Sequence, residues 1–224
     1  MKPHLVAIVG GSGSGKTRLA RQVLEVFGSK AGYICLDDFY KDQSLLSPRE
    51  RAAVNYDHPD AIDWRLLLFC LQMIASGKPA ALPTYDFSSH TRRSQPRRWK
   101  PKPIVVLDGL WLLRHKVVRQ LCHQSVFVDC AESLRLARRL KRDQKERARS
   151  AKSIHRQFRE QVAPMHNRFV ARQAAQADIV LSSPIPDRQL QQMIREIHKS
   201  MSKKTAGKVL MVRFSHRTPA KPEA

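Results

Sequence analysis

Leu5-Val6-Ala7-Ile8-Val9-Gly10-Gly11-Ser12-Gly13-Ser14-Gly15-Lys16-Thr17 joins five apolar residues to a glycine-rich turn that closes on Lys-Thr. The order predicts a buried strand, a loop and a helix start. Gly10, Gly11, Gly13 and Gly15, with Ser12 and Ser14 between them, let the backbone curl so that its N–H groups point inward. Such a nest at the positive end of a helix holds the β- and γ-phosphates of a nucleotide. Lys16 adds a mobile charge to those phosphates, and the Thr17 hydroxyl is placed to ligate the Mg²⁺ that accompanies them. Leu19, Val23, Leu24 and Phe27 give the following helix its apolar face. Residues 10–17 are therefore read as an ATP-binding loop, with Lys16 also catalytic.

Outward from the loop, β-rich runs recur at 4–9, 33–36, 103–107, 125–129 and 178–181. Between them lie helical periodicities near 16–27, 60–74, 133–147, 154–176 and 186–198. The alternation predicts an α/β fold: a five-stranded parallel sheet, doubly wound, of the P-loop NTPase type. Its strand C-termini share one edge, so Gly10, Asp37, Asp108 and Cys130 should face a common cleft. One segment departs from the alternation. The stretch 81–87, a polar turn and Arg97-Arg98-Trp99-Lys100 read as a single inserted hairpin over 81–100 that carries substrate contacts.

The chain has 224 residues, enough for one such domain over 1–201 and a basic C-terminal tail over 202–224, in which 209–214 is a candidate added strand. Its formal net charge is +22, more than one nucleotide site requires. Thirteen Lys or Arg lie within 135–172, six within 92–102 and six after Ser202. The first two groups fall among phosphate-handling motifs, while the tail suits non-specific contact with nucleic acid. Cys35, Cys70, Cys122 and Cys130 lack metal or redox spacing and read as reduced thiols. The apolar runs are too short for a signal peptide or a membrane span, so the expected setting is cytoplasmic, with no membrane partner.

Phosphoryl transfer needs a carboxylate at the attacking hydroxyl and an acid near Mg²⁺. Asp37 ends the second strand, and Asp108 ends Ile104-Val105-Val106-Leu107, able to reach the cation directly or through water. Either acid could instead only cap a strand end. Tyr85 and Phe87 alone would be hairpin core, and His90 a solvated turn residue.

The joint pattern decides between these readings. Asp37-Asp38-Phe39-Tyr40-Lys41, Asn55-Tyr56-Asp57-His58-Pro59-Asp60-Ala61-Ile62-Asp63, Pro83 through Arg92, and Arg135 through Asp143 occur in that order. With the phosphate loop, over about 5–181, they resemble uridine kinase, also called uridine-cytidine kinase, within the phosphoribulokinase and uridine kinase superfamily of P-loop kinases. The resemblance implies ATP-dependent phosphorylation of the 5′-hydroxyl of uridine, and of cytidine, in pyrimidine salvage. It implies Asp37 as the base, Asp38 as a bystander, and Asp57 as a ligand of the ribose hydroxyls. Tyr85, Phe87 and His90 correspond to residues that bracket the pyrimidine. Arg139 and Arg149, with Gln157, correspond to substrate contacts, and Arg142 and Arg147 to phosphate contacts, from a helical lid over 139–157. The resemblance also implies a homo-oligomer, a tetramer.

Arg135, Arg138 and Lys141 are read as a solvated helix face, on the expectation that 135, 138, 139 and 142 cover too broad a face to point into one cleft. Three departures stand out. Arg147-Ala148-Arg149 replaces the usual Arg-Gly-Arg, which predicts a stiffer, more helical turn. Asp108 replaces the usual Glu, which favours water-mediated contact with Mg²⁺. The stretch 169–173 lacks the usual proline. Two rival readings stay open: a kinase of another small alcohol such as nicotinamide riboside or pantothenate, and a nucleotide-sensing or nucleic-acid-associated P-loop protein.

Overall fold

A computed structural model describes residues 2–202. The tail proposed for nucleic-acid contact and the candidate strand 209–214 lie outside the described residues. Five strands form one parallel sheet: β1 (His4–Gly10), β2 (Ala31–Cys35), and three later ones over Ile104–Gly109, Gln124–Asp129 and Ile179–Ser182. Numbered in chain order with the short strands β3 (Ala80–Leu82), β4 (Tyr85–Asp86), β5 (Thr91–Arg92) and β6 (Arg97–Trp99) between them, the three are β7, β8 and β9. The sheet order is β2-β7-β1-β8-β9. It is the doubly wound sheet expected from the alternation of strands and helices.

β1 lies in the middle, in register with β7 from His4 opposite Ile104 to Val9 opposite Gly109, and paired on its other side with β8. Covered on both faces, it reads as a continuous apolar run rather than an alternating one. Its side chains still divide by parity. Leu5, Ala7 and Val9 pack with α3 (Trp64–Ala75), while Val6 and Ile8 pack with α1 (Lys16–Phe27) and α8 (Asp187–Ser202). All five are fully buried, and each larger aliphatic contributes about 1.5–3 kcal/mol through burial.

The inserted segment differs from the expected single hairpin. β3 pairs with β6, Ala80 opposite Trp99, and β4 pairs with β5, Tyr85 opposite Arg92, as two separate ladders. Pro83 sits at the break, because proline has no N–H to give a ladder. The helix expected over 154–176 also differs. α6 (Ala151–Gln157) starts at a Ser150 cap and gives way to π-helical turns at Phe158–Val162 and His166–Val170. The short helix α7 (Ala163–Met165) separates them, and a 3₁₀ stretch follows over Ala171–Gln176. Pro164 cannot supply the N–H that a regular helix would need at this point. The remaining helices are α2 (Pro48–Ala53), α4 (Lys116–Leu121) and α5 (Glu132–Arg147).

At the far end of the sheet from the phosphate loop, His4 packs against His123 with ring centroids 4.6 Å apart. His123 Nδ1 accepts from the Leu5 N–H at 3.1 Å. Burial, and then the neighbouring His123, lower the His4 pKa from 6.5 to about 4. Burial lowers that of His123 as well. Both rings are held neutral, so the unfolded chain binds more protons between these values. Stability is therefore full above pH 6.5 and lost as pH falls towards 4. A melting temperature that declines over this interval, at about 2–4 °C for each kcal/mol lost, and declines less in His4→Phe, is the expected result of a pH series of thermal melts.

Candidate active site

The phosphate loop follows β1 without a break, and α1 begins at Lys16 on a left-handed Gly15 with φ 99°. Gly13 is also left-handed, with φ 81°, and a Cβ there would lie 2.5 Å from the Arg135 carbonyl oxygen. Glycine is thus required both by conformation and by the closeness of α5. No acid occupies the first turn of α1, so its positive end remains unneutralised for an anion. The loop's turn is closed by the Ser14 N–H donating to the Gly11 carbonyl at 3.0 Å. The buried Ser14 hydroxyl has no hydrogen-bond partner among the described residues.

Asp108 sits near the end of β7, 1% exposed. Its Oδ2 accepts from the Thr17 hydroxyl at 2.6 Å and from the Tyr33 hydroxyl at 2.9 Å. Its Oδ1 is buried with no partner among the described residues. Because Thr17 spends its one proton on Asp108, its lone pairs remain for a cation. A hydroxyl and a carboxylate oxygen suit Mg²⁺, a hard oxygen-seeking ion that retains waters. Burial, then Asp108 and Cys35, hold the Tyr33 phenol far above its ordinary range, so Tyr33 remains a donor.

Asp37 lies in the 3₁₀ turn Leu36–Phe39 that follows β2. Its Oδ1 is buried without a partner among the described residues. Burial pushes its pKa up to about 6; Lys16 opposes this, while Asp108, Asp57 and Asp38 add to it. Burial raises the Asp38 carboxyl, against the pull of the Tyr85 backbone and of Arg97. Burial also raises Asp57, against the pull of Arg139, Lys16 and Arg142. Lys16 thus acts on both Asp37 and Asp57. With Ser12, Trp111 and His166, Asp57 lines a cavity of about 10 Å³, roughly the volume that holds one water.

The aromatic residues form a larger group than the sequence reading assembled. Tyr85 packs against Phe87, with centroids 5.4 Å apart, and against Tyr40 at 5.2 Å. Tyr40 meets Tyr56 edge-on at 5.4 Å, and Tyr56 stacks on His90 at 4.5 Å. Tyr85 is buried and Phe87 is 44% exposed. Tyr40 and Tyr56 were overlooked as members, although both stand inside the quoted motifs. Arg92 ties the insertion to this group, donating to the Tyr40 carbonyl at 2.7 Å and pairing with Asp63 at 3.3 Å.

Arg139, Arg149 and Gln157 are brought together. Gln157 Oε1 accepts from Arg139 Nη2 at 2.9 Å and from Arg149 Nη1 at 2.6 Å, while Arg139 Nη1 donates to Ser12 Oγ of the phosphate loop at 3.0 Å. Asp143, fully buried, pairs with Arg139 at 3.3 Å, Arg142 at 2.8 Å and Arg149 at 3.9 Å. It is the anchor of the arginine group and carried no expected role. Arg147 ends α5, and its side chain lies outside what the structure describes.

The solvated face expected for Arg135 and Arg138 is wrong, and only Lys141 is exposed. Arg135 is 2% exposed, donates to the Cys130 carbonyl at 3.3 Å and lies 5.6 Å from the centre of the Phe158 ring. Arg138 Nη1 donates to the Gly13 and Ser14 carbonyls at 3.3 and 3.1 Å and to the Ser183 hydroxyl at 2.9 Å. Positions i, i+3, i+4 and i+7 fall on one stripe of a helix, not on several. That spacing was the available signal. The expected stiffening at Ala148 is wrong too: α5 stops there, because Ala148 adopts φ 49°, ψ 31°. The Arg149 N–H turns back to the Asp143 carbonyl at 3.2 Å, the closure that glycine normally supplies at a helix end.

Residues 5–190 match the Phosphoribulokinase / Uridine kinase family. The chain belongs to this family. It is 40% identical over 178 residues to a uridine kinase of Staphylococcus carnosus, covering 79% of this chain and 86% of that one. It is 41% identical over 182 residues to a uridine kinase of Deinococcus deserti, covering 81% and 88%. The fold also superposes on phosphoribulokinase from Rhodobacter spheroides with a TM-score of 0.59 at 15% identity, over 81% of this chain and 70% of that one. As a phosphoribulokinase/uridine kinase family member the chain is a P-loop kinase, a nucleotide-binding phosphotransferase.

Because a non-glycine residue costs about 1–2 kcal/mol in the left-handed region, Ala148→Gly should stabilise the protein by about 1 kcal/mol. The check is a rise in the urea midpoint with an unchanged slope.

Proposed function

We propose that this kinase transfers the γ-phosphoryl group of ATP to the 5′-hydroxyl of a pyrimidine nucleoside, uridine and also cytidine. The observation that carries the reading is Asp37, a half-buried carboxylate near Lys16 of the phosphate loop, with a buried, unpartnered Oδ1 and a pKa pushed up to about 6. A base in this range is ionised at neutral pH yet holds a proton well. The relatives named uridine kinase and the aromatic group around Tyr85 support a nucleoside as its partner. A neutral nucleoside offers no phosphate to grip, so flat apolar surface and a few polar contacts must recognise it.

In this reading the loop N–H groups and Lys16 hold the β- and γ-phosphates, and Asp57 accepts from the ribose hydroxyls. Tyr85, Phe87 and His90, with Tyr40 and Tyr56, bracket the base. Asp37 Oδ1 takes the 5′-hydroxyl proton as that oxygen attacks the γ-phosphorus in line and the bond to the β-phosphate oxygen breaks. Arg139, Arg142 and Arg149, ordered by Asp143 and Gln157, together with Arg147 by resemblance, neutralise the charge spreading over the transferring group. Thr17 and Asp108, the latter directly or through water, would hold Mg²⁺, which would supply further charge neutralisation there. The elbow between α5 and α6 is the element that would close as a lid.

Asp37→Asn should cut kcat by about 100-fold or more, as loss of a positioned base does, while leaving ATP affinity near wild type. Asp37 has a folded pKa above the ordinary 3.8, so its ionisation costs stability above pH 6, and that cost vanishes as pH falls towards 3.8. Asp37→Asn should therefore melt at or above the wild-type temperature at pH 8, which separates lost chemistry from lost folding. In the wild type, kcat/KM should fall tenfold per pH unit below about 6.

Asp57→Ala should raise KM for uridine, and 2′-deoxyuridine should be a poor substrate because it leaves a buried carboxylate half-satisfied. A panel of nucleosides, nicotinamide riboside and pantothenate with ATP and Mg²⁺, read by product mass, tests the substrate. Turnover of another alcohol in place of uridine and cytidine would overturn the assignment.

A further inference from the structure

Tyr33 lies on β2, two residues before Cys35, and Cys35 stands opposite Asp108 of β7. Tyr33 is therefore a diagonal neighbour of Asp108 on the same sheet face, within reach of an aromatic side chain. Its hydroxyl donates to Asp108 Oδ2 at 2.9 Å, the same oxygen that Thr17 reaches at 2.6 Å from α1. A carboxylate turns easily about its last torsion, whose energy profile is broad. With a single donor its plane would be free to swing. Two donors from different elements, converging on one oxygen, fix that plane and leave Oδ1 as the open acceptor. Asp108 is 1% exposed and its Oδ1 has no partner among the described residues, so the fixed orientation presents a buried acceptor to whatever enters beside Thr17.

We propose that Tyr33 is a positioning residue for the divalent-cation site: it locks the Asp108 carboxylate so that Oδ1 and the Thr17 lone pairs stand ready for the hydrated cation that enters with the nucleotide. The inference rests on Thr17 and Asp108 as the residues that serve the cation, and not on the identity of the phosphoryl acceptor. Tyr33 acts through Asp108 and touches no reacting atom. Groups that orient metal-binding carboxylates typically change metal affinity 10–100-fold when removed.

The test uses the full chain, with Mn²⁺ as the probe, ADP present, and no nucleoside or turnover. Free Mn²⁺ is counted by electron paramagnetic resonance for wild type, Tyr33→Phe, Asp108→Asn and the double variant. Tyr33→Phe should weaken Mn²⁺ binding about tenfold while ADP affinity in EDTA stays within twofold. In the Asp108→Asn background the same change should add little, because the oxygen that Tyr33 orients has lost its charge. Phe keeps the ring and its packing; Tyr33→Leu is the second variant, and a thermal melt identifies the folded samples. A folded Tyr33 variant with Mn²⁺ affinity within twofold of wild type, an equal loss in both backgrounds, or a wild type that binds no Mn²⁺ with ADP would overturn the proposal. A failure to phosphorylate uridine would overturn the nucleoside reading and leave these outcomes intact.

Discussion

The seating of α5 on the phosphate loop is the contact on which the site depends. A loop that turns its N–H groups inward turns carbonyls outward, and those carbonyls need partners of their own. Arg138 meets the Gly13 and Ser14 carbonyls and the Ser183 hydroxyl with one guanidinium nitrogen, joining the loop, α5 and the segment after β9. A charged donor to neutral carbonyls makes a stronger bond than a neutral donor would. The same helix brings its own Arg135 carbonyl so close to Gly13 that no Cβ fits. The packing of α5 thus requires glycine at position 13 independently of any phosphate, and it holds the nest in shape.

The seating also explains the arginine distribution. One stripe of α5 faces the loop, so its four arginines are buried or half-buried there, where isolated cations would be costly. Asp143, with no exposure, offsets that cost for Arg139, Arg142 and Arg149 and fixes their directions. Removing one partner of such a buried group typically costs about 3–5 kcal/mol. Six of the Lys and Arg, against one acid, fall after Ser202. The kinase body therefore stays strongly basic without the tail, and much of its excess charge lies on helices around the phosphate loop.

What was legible in the sequence was local. The strand before the loop, the loop itself and the five strands of the sheet depend on neighbours in the chain, and all lie within a few residues of where the sequence puts them. Asp37 and Asp108 were placed because parallel strands end on a common edge. The rest depended on contacts between distant segments. Tyr40 and Tyr56 join Tyr85 and His90 only after the insertion folds back. Pro83 and Pro164 were visible, but their consequences for a split hairpin and π-helical turns were not drawn. On α5 the positions 135, 138, 139 and 142 share one face by helical spacing alone, and that face is the one turned to the loop. At Ala148 the composition argues for a longer helix, but the chain adopts a left-handed residue there and closes the helix end on the Asp143 carbonyl.

The acids of the cleft follow one electrostatic logic. Asp37, Asp57 and Asp108 converge on a region that must receive phosphates, and in the absence of compensation like charges would repel and take up protons. Lys16 draws the pKa of Asp37 and Asp57 down, while two hydroxyls occupy Asp108. Burial outweighs Lys16 at Asp37 and leaves it near 6. The protein tolerates a destabilised carboxylate near Lys16. Where an acid must stay oriented, it supplies neutral donors that hold the carboxylate without neutralising it. Asp37 keeps an unpartnered oxygen near Lys16 and a raised pKa, whereas Asp108 is pinned through one oxygen with the other left open, and the proposed roles of base and cation-directed acid rest on this contrast.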